Sequence, residues 1–178
     1  MKNKQFLVLI LVFSYSLLFL LKLSPLSWIF LVIGLIVGFF IYFFDYLLYP
    51  FYADEDLELV SIAKKYWTQK NYHHYLQLIW LNQKTVVHLM SRSFLFIILY
   101  FPLAIFVLSA SSQVFGKGVV LGLGLNLVIK LWQLKNNRED FHQNFFWQAE
   151  KQISELVINR MVMGFTLLFV LLTILALF

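Results

Sequence analysis

The stretch that decides the architecture of this chain is residues 118–130, GVVLGLGLNLVIK. It is apolar apart from Asn126 and Lys130, and Gly118 and Gly122 stand four residues apart within it. Glycines at this spacing lie on one side of an α-helix, where they allow two helix backbones to approach closely in lipid. The stretch therefore predicts a membrane-spanning helix whose packing stripe continues into two polar side chains.

A second apolar stretch repeats this arrangement. Residues 34–45 begin with Gly34 and Gly38 and continue, along a similar stripe, to Tyr42 and Asp45. The distribution of positive charge, considered below, puts both stretches across the membrane in the same direction, so that their stripes can pack side by side. We expect the four glycines of the two stretches to form the packing seam between two parallel helices.

The two stripes place one acidic and one basic side chain at similar depths. Asp45 lies seven residues beyond Gly38, and Lys130 lies eight residues beyond Gly122. These separations correspond to about 10.5 Å and about 12 Å of helix rise. Because a charge inside the hydrocarbon is costly and usually finds a partner or a cavity, we predict an intramembrane Asp45–Lys130 pair, with Asn126 one turn deeper as a hydrogen-bonding neighbour.

Three simpler interpretations of these charged residues stay open. Lys130 can extend along its own aliphatic stem to reach the membrane interface. Asp45 is flanked by Tyr42, Tyr46 and Tyr49, so it can belong to an aromatic belt at that interface. Both side chains can also face the bundle interior without contacting each other.

The composition of the whole chain agrees with a membrane location. Of its 178 residues, 61% are apolar and only 13% are charged, whereas a soluble domain has about 45–50% apolar and about 25% charged residues. A soluble protein of this length cannot hide so much apolar surface in one core. The composition excludes a soluble domain, a disordered chain and a nucleic-acid-binding module, and it predicts an all-α, polytopic membrane helix bundle.

Five apolar segments are candidates for membrane-spanning helices, because a bilayer core about 30 Å thick needs about 20 apolar residues. They cover residues 6–21, 28–49, 93–110, 118–134 and 161–178. Pro50 is expected to end the second span, and Pro102 is expected to kink the third. The fourth span is the weakest of the five because it contains Lys130.

Lys and Arg residues indicate how the spans are oriented. With five spans and a cytoplasmic N-terminus, eleven of the 14 basic residues lie inside and two, Lys22 and Lys117, lie outside. Lys130, within a span, completes the count. Cytoplasmic loops of membrane proteins carry such an excess of positive charge. We therefore expect an integral protein of a bacterial-type cytoplasmic membrane, with the N-terminus in the cytoplasm and the C-terminus outside.

Two polar segments are expected on the cytoplasmic side. Residues 54–91 have apolar side chains at helical spacing before and after a turn near Lys70, which predicts an antiparallel helical hairpin on the membrane surface or on the ends of the spans. Residues 138–160 predict one amphipathic interfacial helix that leads into the last span. Four acidic residues are expected to cap the first helix of the hairpin: Asp54, Glu55, Asp56 and Glu58.

No motif of catalysis, metal binding or cofactor binding is present in the sequence. The chain has no cysteine, so disulfides and thiolate sites are excluded. Its four histidines, His73, His74, His88 and His142, lack a metal-binding spacing. There is also no phosphate-binding glycine loop and no nucleophile elbow. We therefore expect no catalytic residue, no metal and no cofactor.

Three functions remain as hypotheses. The first is a membrane scaffold whose cytoplasmic helices bind a protein partner, with the lipid bilayer around it and a homo-oligomer as a possible form. The second is a small transporter or channel subunit lined by Asp45, Asn126 and Lys130. The third is a membrane-interface enzyme that uses Asp45 with His88 or His142.

Overall fold

A computed structural model describes residues 24–53, 57–82, 89–110, 113–147 and 153–177. Within these ranges the chain forms seven α-helices, one 3₁₀ turn and no β-strand. The helices are α1 (Pro25–Tyr52), α2 (Glu58–Thr68), α3 (Tyr72–Leu81), α4 (Phe94–Ala110), α5 (Val114–Leu134), α6 (Arg138–Phe145) and α7 (Glu155–Leu177), and the 3₁₀ turn covers Met90–Arg92. The prediction of an all-helical bundle is confirmed at this level.

Three of these helices are long and apolar enough to cross a membrane, namely α1, α5 and α7. They correspond to the predicted spans at 28–49, 118–134 and 161–178. Helix α4 matches the span predicted at 93–110 and is apolar, but it has only 17 residues. The span predicted at 6–21 lies outside the described residues, so the count of five is not established.

Helix α1 begins with a side-chain cap and ends later in the chain than the sequence predicts. Ser24 caps the helix through its side chain, and Pro25 occupies the first turn, where a missing N–H costs nothing. The expectation that Pro50 ends the span is wrong, because the helix continues to Tyr52. Pro50 lies in the last turn, and the Ala53 N–H donates to the Tyr49 carbonyl at 3.0 Å, which closes that turn beyond the proline.

Backbone contact joins α1 and α5. A Cβ atom on Gly34 would lie 3.1 Å from the Gly118 Cα, and a Cβ atom on Gly118 would lie 3.1 Å from the Gly34 Cα. Further along, a Cβ on Gly38 would overlap the carbonyl group of Val119, and one on Gly122 would overlap that of a residue in α1. Since the contacts advance in the same direction along both helices, α1 and α5 are parallel.

Helix α5 occupies the centre of the bundle, with α4 and α7 also packed against it. The Tyr100 hydroxyl of α4 donates to the Val120 carbonyl at 3.1 Å. It lies where a side chain at Gly124 would be, so α5 needs a glycine there as well. On α7, Thr166 accepts a hydrogen bond from the Trp132 ring at 3.0 Å. Helix α5 therefore buries several of its faces at once.

The hairpin helices α2 and α3 dock on the last turns of α1. A positive φ of 56° at Lys70 makes the turn between them. Tyr75 donates from its hydroxyl to the Leu47 carbonyl of α1. A second buried cluster, separate from the main core, joins the three helices; it contains Tyr46, Tyr49, Val60, Ala63, Tyr75, Ile79 and Leu89. Of the acidic residues expected to cap the hairpin, Asp54, Glu55 and Asp56 lie outside the described residues, and Glu58 is in the first turn of α2.

The helix predicted over residues 138–160 is interrupted. Helix α6 ends at Phe145, and α7 begins only at Glu155. Phe146 leaves the helical conformation and stacks its ring on Phe94 of α4, with 4.9 Å between ring centroids. Packing against the bundle overrides the helical periodicity here, since Phe141 and Phe145 are also buried in the main core.

The glycine contacts predict that a Gly→Ala substitution destabilises the bundle at some positions and not at others. Gly38→Ala is expected to lower the free energy of unfolding by about 1–3 kcal/mol, because the new methyl group overlaps the backbone of α5. Gly164→Ala is the matched control, since a Cβ at Gly164 has nothing within 4 Å. Unfolding of the purified protein in detergent micelles with increasing dodecyl sulfate, followed by circular dichroism, measures both. Equal effects of the two substitutions would contradict the close backbone contact between α1 and α5 at Gly38.

A second pair of substitutions tests the docking of the hairpin. Ile79 is 0% exposed, so Ile79→Ala is expected to weaken docking by about 2–5 kcal/mol. Leu81 of the same helix is 71% exposed, and Leu81→Ala is expected to have little effect. Hydrogen exchange measured by mass spectrometry should show faster exchange in α2 and α3 for Ile79→Ala alone. Unchanged protection in that variant would mean that the hairpin does not depend on this contact.

Candidate functional site

The polar residues of the bundle meet at one end, around Asp45 in α1. One carboxylate oxygen of Asp45 accepts from the Tyr52 hydroxyl at 2.7 Å. The other accepts from the backbone N–H of Ser91 at 2.7 Å and from the Ser91 hydroxyl. Asp45 therefore ties the segment that precedes α4 to the end of α1, and both of its oxygens are already used.

The segment around Ser91 has a local reason for its shape. Ser93 lies between the 3₁₀ turn and α4, and its hydroxyl accepts from the Phe96 N–H at 3.2 Å and donates to the Met90 carbonyl at 2.8 Å. The same serine therefore begins α4 and closes the turn before it. This turn places the N–H and hydroxyl of Ser91 toward Asp45 and leaves Arg92 against α1.

Arg92 is a buried cation at this end of the bundle. Its side chain is 6% exposed and lies over the Tyr46 ring, 5.0 Å from the ring centroid. Its Nε–H has no hydrogen-bond partner, and the buried hydroxyl of Tyr42 has none either. An arginine stays charged in essentially every protein environment, so the site holds a positive charge that the face of an aromatic ring stabilises only in part.

Lys130 and Asn126 extend the cluster onto α5. Asn126 is buried, and its amide donates to the Phe39 carbonyl of α1 at 2.9 Å. Lys130 is half-buried and lies within electrostatic reach of Arg92. Within the described ranges, neither Arg92 nor Lys130 forms an ion pair with a carboxylate. We name Tyr42, Asp45, Ser91, Arg92 and Lys130 the polar cluster.

The structure does not bring Asp45 and Lys130 into contact, although their helices pack along the predicted glycines. A helix turns by about 100° per residue. Lys130 is therefore rotated by about 80° from Gly122, whereas Asp45 is rotated by only about 20°, in the opposite sense, from Gly38. The two side chains leave the seam in different directions, and Asp45 turns to Ser91 instead.

None of the histidines that the structure describes is a hydrogen-bond partner of Asp45. His73 and His74 are exposed on α3, and the His74 ring contacts Asn71 at 2.8 Å. His142 is half-buried on α6, and His88 lies outside the described residues. In the described part of the chain, no group of three His, Cys, Asp or Glu side chains could hold a metal ion.

An apolar groove lies beside the polar cluster, between α1 and the hairpin. It has a volume of 530 Å³ and is lined by Phe44, Leu47, Leu48, Phe51, Trp67, Tyr72, Tyr75 and Leu76. Several of these rings also contact one another, such as Phe51 and Trp67 at 5.2 Å between centroids. The groove lies where the last turns of α1 meet the hairpin. These turns follow the apolar part of α1 and precede the more polar hairpin. We name this groove the aromatic groove.

Sequence reasoning missed the partners of Asp45 and the role of Arg92. A signal was available, because Ser91, Arg92 and Ser93 form a polar run directly before an apolar helix. Such a run predicts a helix beginning, but it does not predict that the run folds back onto α1. The aromatic groove had no sequence signal, since its lining comes from three separate helices.

Comparisons with known proteins give no further guide. No family model, no curated protein and no solved structure matches this chain. The function must therefore be argued from the geometry of the polar cluster and of the aromatic groove.

The hydrogen bonds of Asp45 predict the outcome of two experiments. Asp45→Asn turns one acceptor into a donor that faces existing donors, so it is expected to lower the free energy of unfolding by about 1–3 kcal/mol. Tyr52→Phe removes a single donor and should cost less.

Adding Lys130→Asp to Asp45→Lys is expected to give no rescue, as measured by unfolding in detergent. If the double substitution regained stability, that result would support the Asp45–Lys130 ion pair predicted from the sequence.

Proposed function

We propose that this chain is a non-catalytic integral membrane scaffold, whose helix bundle holds the aromatic groove at the cytoplasmic membrane interface as a binding site for a protein partner. The observation that carries the proposal is the docking of the hairpin on α1, which gives the groove two walls of fixed position. Three apolar helices support the membrane location.

The chemistry of the groove favours an apolar segment of a protein, such as one face of a helix. Large aromatic side chains dominate its lining, and aromatic residues are enriched where protein interfaces carry most of their binding energy. Trp67 is 43% exposed and Tyr72 is 49% exposed, although both belong to a docked hairpin. A partner helix that inserts apolar side chains between these rings would cover them.

The polar residues support a structural rather than a catalytic role. Asp45 accepts from Ser91 and Tyr52, and the amide of Asn126 donates to α1, so these groups are engaged in holding elements together. A transporter lined by Asp45, Asn126 and Lys130 would instead need their polar atoms free to face a water-filled path. An enzyme would need a histidine beside Asp45.

The orientation in this proposal comes from the distribution of basic residues. Eleven of the 14 Lys and Arg residues lie on the side of the hairpin when the N-terminus is cytoplasmic and the spans are five. The hairpin, the aromatic groove and the polar cluster then all lie at the cytoplasmic face.

Site-specific photocrosslinking in native membranes tests the proposed partner site. A photoreactive residue at Leu76, in the groove, is expected to give a defined protein adduct. The same residue at Leu99, which is 67% exposed on α4, should give lipid adducts only. Trp67→Ala should reduce the Leu76 adduct by about tenfold or more, because loss of an aromatic anchor costs about 2 kcal/mol or more.

Two outcomes would contradict the scaffold. The first is that lipid alone is crosslinked at both positions. The second is ion flux in proteoliposomes that Lys130→Gln abolishes, since that result would favour a channel or transporter. An adduct with a second copy of the chain would identify the partner as a homo-oligomer and would keep the groove as the binding site.

A further inference from the structure

Two positive side chains lie in the polar cluster with one carboxylate, that of Asp45, and neither of them forms an ion pair with it. Arg92 is 6% exposed, and Lys130, half-buried on the neighbouring helix, is within electrostatic reach of it. In the described part of the chain no carboxylate pairs with either. Asp45 is the acidic residue of α1, and its oxygens accept from Ser91 and Tyr52. Its single negative charge leaves an excess of positive charge in the cluster.

This arrangement is unfavourable unless something negative binds to it. A buried charge loses its hydration, and two like charges close together repel each other. Arginine cannot relieve the cost by losing its proton. The buried Nε–H of Arg92 and the buried hydroxyl of Tyr42 also lack hydrogen-bond partners, and each such group costs about 1–3 kcal/mol when it is left unsatisfied.

We propose that Arg92, Lys130 and the Tyr42 hydroxyl bind the phosphate group of an anionic phospholipid at this end of the bundle. A guanidinium presents a planar set of donors that matches phosphate oxygens, and an ammonium adds a mobile point charge. The hydroxyl of Tyr42 supplies one further donor from α1, which lies within electrostatic reach of Arg92. A phosphate beside these groups would neutralise the excess charge, and it would also satisfy the buried Nε–H and the Tyr42 hydroxyl once the side chains that cover them move aside.

The depth of the site favours a lipid over a phosphate dissolved in water. Lys130 lies four residues before the end of α5 at Leu134, about 6 Å of helix rise. Tyr42 lies ten residues before the end of α1 at Tyr52, but α1 extends about five residues past the depth at which α5 ends, because Asn126 is hydrogen-bonded to Phe39 across the seam. The cluster therefore sits just inside the ends of two candidate spans, at the level where headgroup phosphates meet the hydrocarbon. Basic pockets between membrane helices at this level bind anionic headgroups.

The proposal is independent of the aromatic groove and of any protein partner. It concerns α1, the 3₁₀ turn and α5, whereas the groove is formed by α1 and the hairpin. A failure to find a protein partner would leave the lipid site untouched, and the converse also holds.

The test measures lipid selectivity of the full chain by electron spin resonance. The protein is reconstituted in phosphatidylcholine vesicles that contain a trace of spin-labelled phosphatidylglycerol or, in parallel, of spin-labelled phosphatidylcholine. We expect the wild type to immobilise phosphatidylglycerol preferentially. Arg92→Gln and Lys130→Gln should each reduce that preference by about fivefold, which corresponds to the roughly 1 kcal/mol that one basic residue contributes to binding anionic lipid.

Lys135→Gln is the matched control, because Lys135 is a cation at the same end of α5 that stacks on Trp132 outside the cluster. The lipid preference of this variant should stay within about twofold of the wild type, because Lys135 lies outside the cluster and its ammonium is held over the Trp132 ring. Tyr42→Phe keeps the ring and removes only the hydroxyl, so it tests the site even where a charge-removing variant fails to fold. It should weaken the preference as well.

Inorganic phosphate tests whether the ligand of this site is a lipid headgroup or a phosphate ion in solution. Added to the vesicles, it should leave the immobilised fraction of phosphatidylglycerol unchanged beyond the effect of an equal ionic strength of chloride. Displacement by phosphate at concentrations where chloride has no effect would overturn the lipid assignment. Equal loss of preference in Lys135→Gln and Arg92→Gln would also overturn it, because the effect would then be one of overall charge.

Discussion

The structure depends on the direct contact between the backbones of α1 and α5. Within lipid the hydrophobic effect does not draw helices together, so close packing and interhelical hydrogen bonds must hold them. The absence of side chains at Gly38 and Gly122 allows carbonyl groups of one helix to touch the other. The hydrogen bond from Asn126 to Phe39 continues this contact one turn further. The glycine contacts and this hydrogen bond fix the depth of α1 relative to α5. They therefore set the depth of Tyr42 and Asp45 relative to Lys130.

The central position of α5 explains why it is the least convincing span in the sequence. Of the three candidate spans it has the largest share of buried residues, because α1, α4 and α7 all pack on it. A helix surrounded by protein does not need a lipid-compatible surface on every side. Gly124 and Asn126 are tolerated there, since each meets a specific group on a neighbouring helix. The weak apolar character of α5 is therefore a consequence of its place in the fold.

Much of the fold could be predicted from local pattern, and the departures have physical causes. Glycines four residues apart indicated which helix faces meet. Of the five spans that apolar length predicted, three correspond to described helices that are long and apolar enough to cross a membrane. The partner of Asp45 could not be found in this way, because Ser91 lies 46 residues away and its position depends on a 3₁₀ turn. A stripe at a spacing of four also drifts around the helix, which separates Lys130 from Asp45. The break after Phe145 depends on ring stacking between Phe146 and Phe94, a contact that periodicity cannot reveal.

The last three turns of α1 connect the two proposed binding sites. One side of these turns carries Asp45 and Tyr52, which hold the 3₁₀ turn and hence Arg92. Another side carries Phe44 and Phe51, which form one wall of the aromatic groove. A ligand at either site binds best when this end of α1 is fully helical and the elements around it are docked. Loss of helical structure at this end of α1 would therefore disrupt both proposed sites, although each site has its own lining and its own ligand.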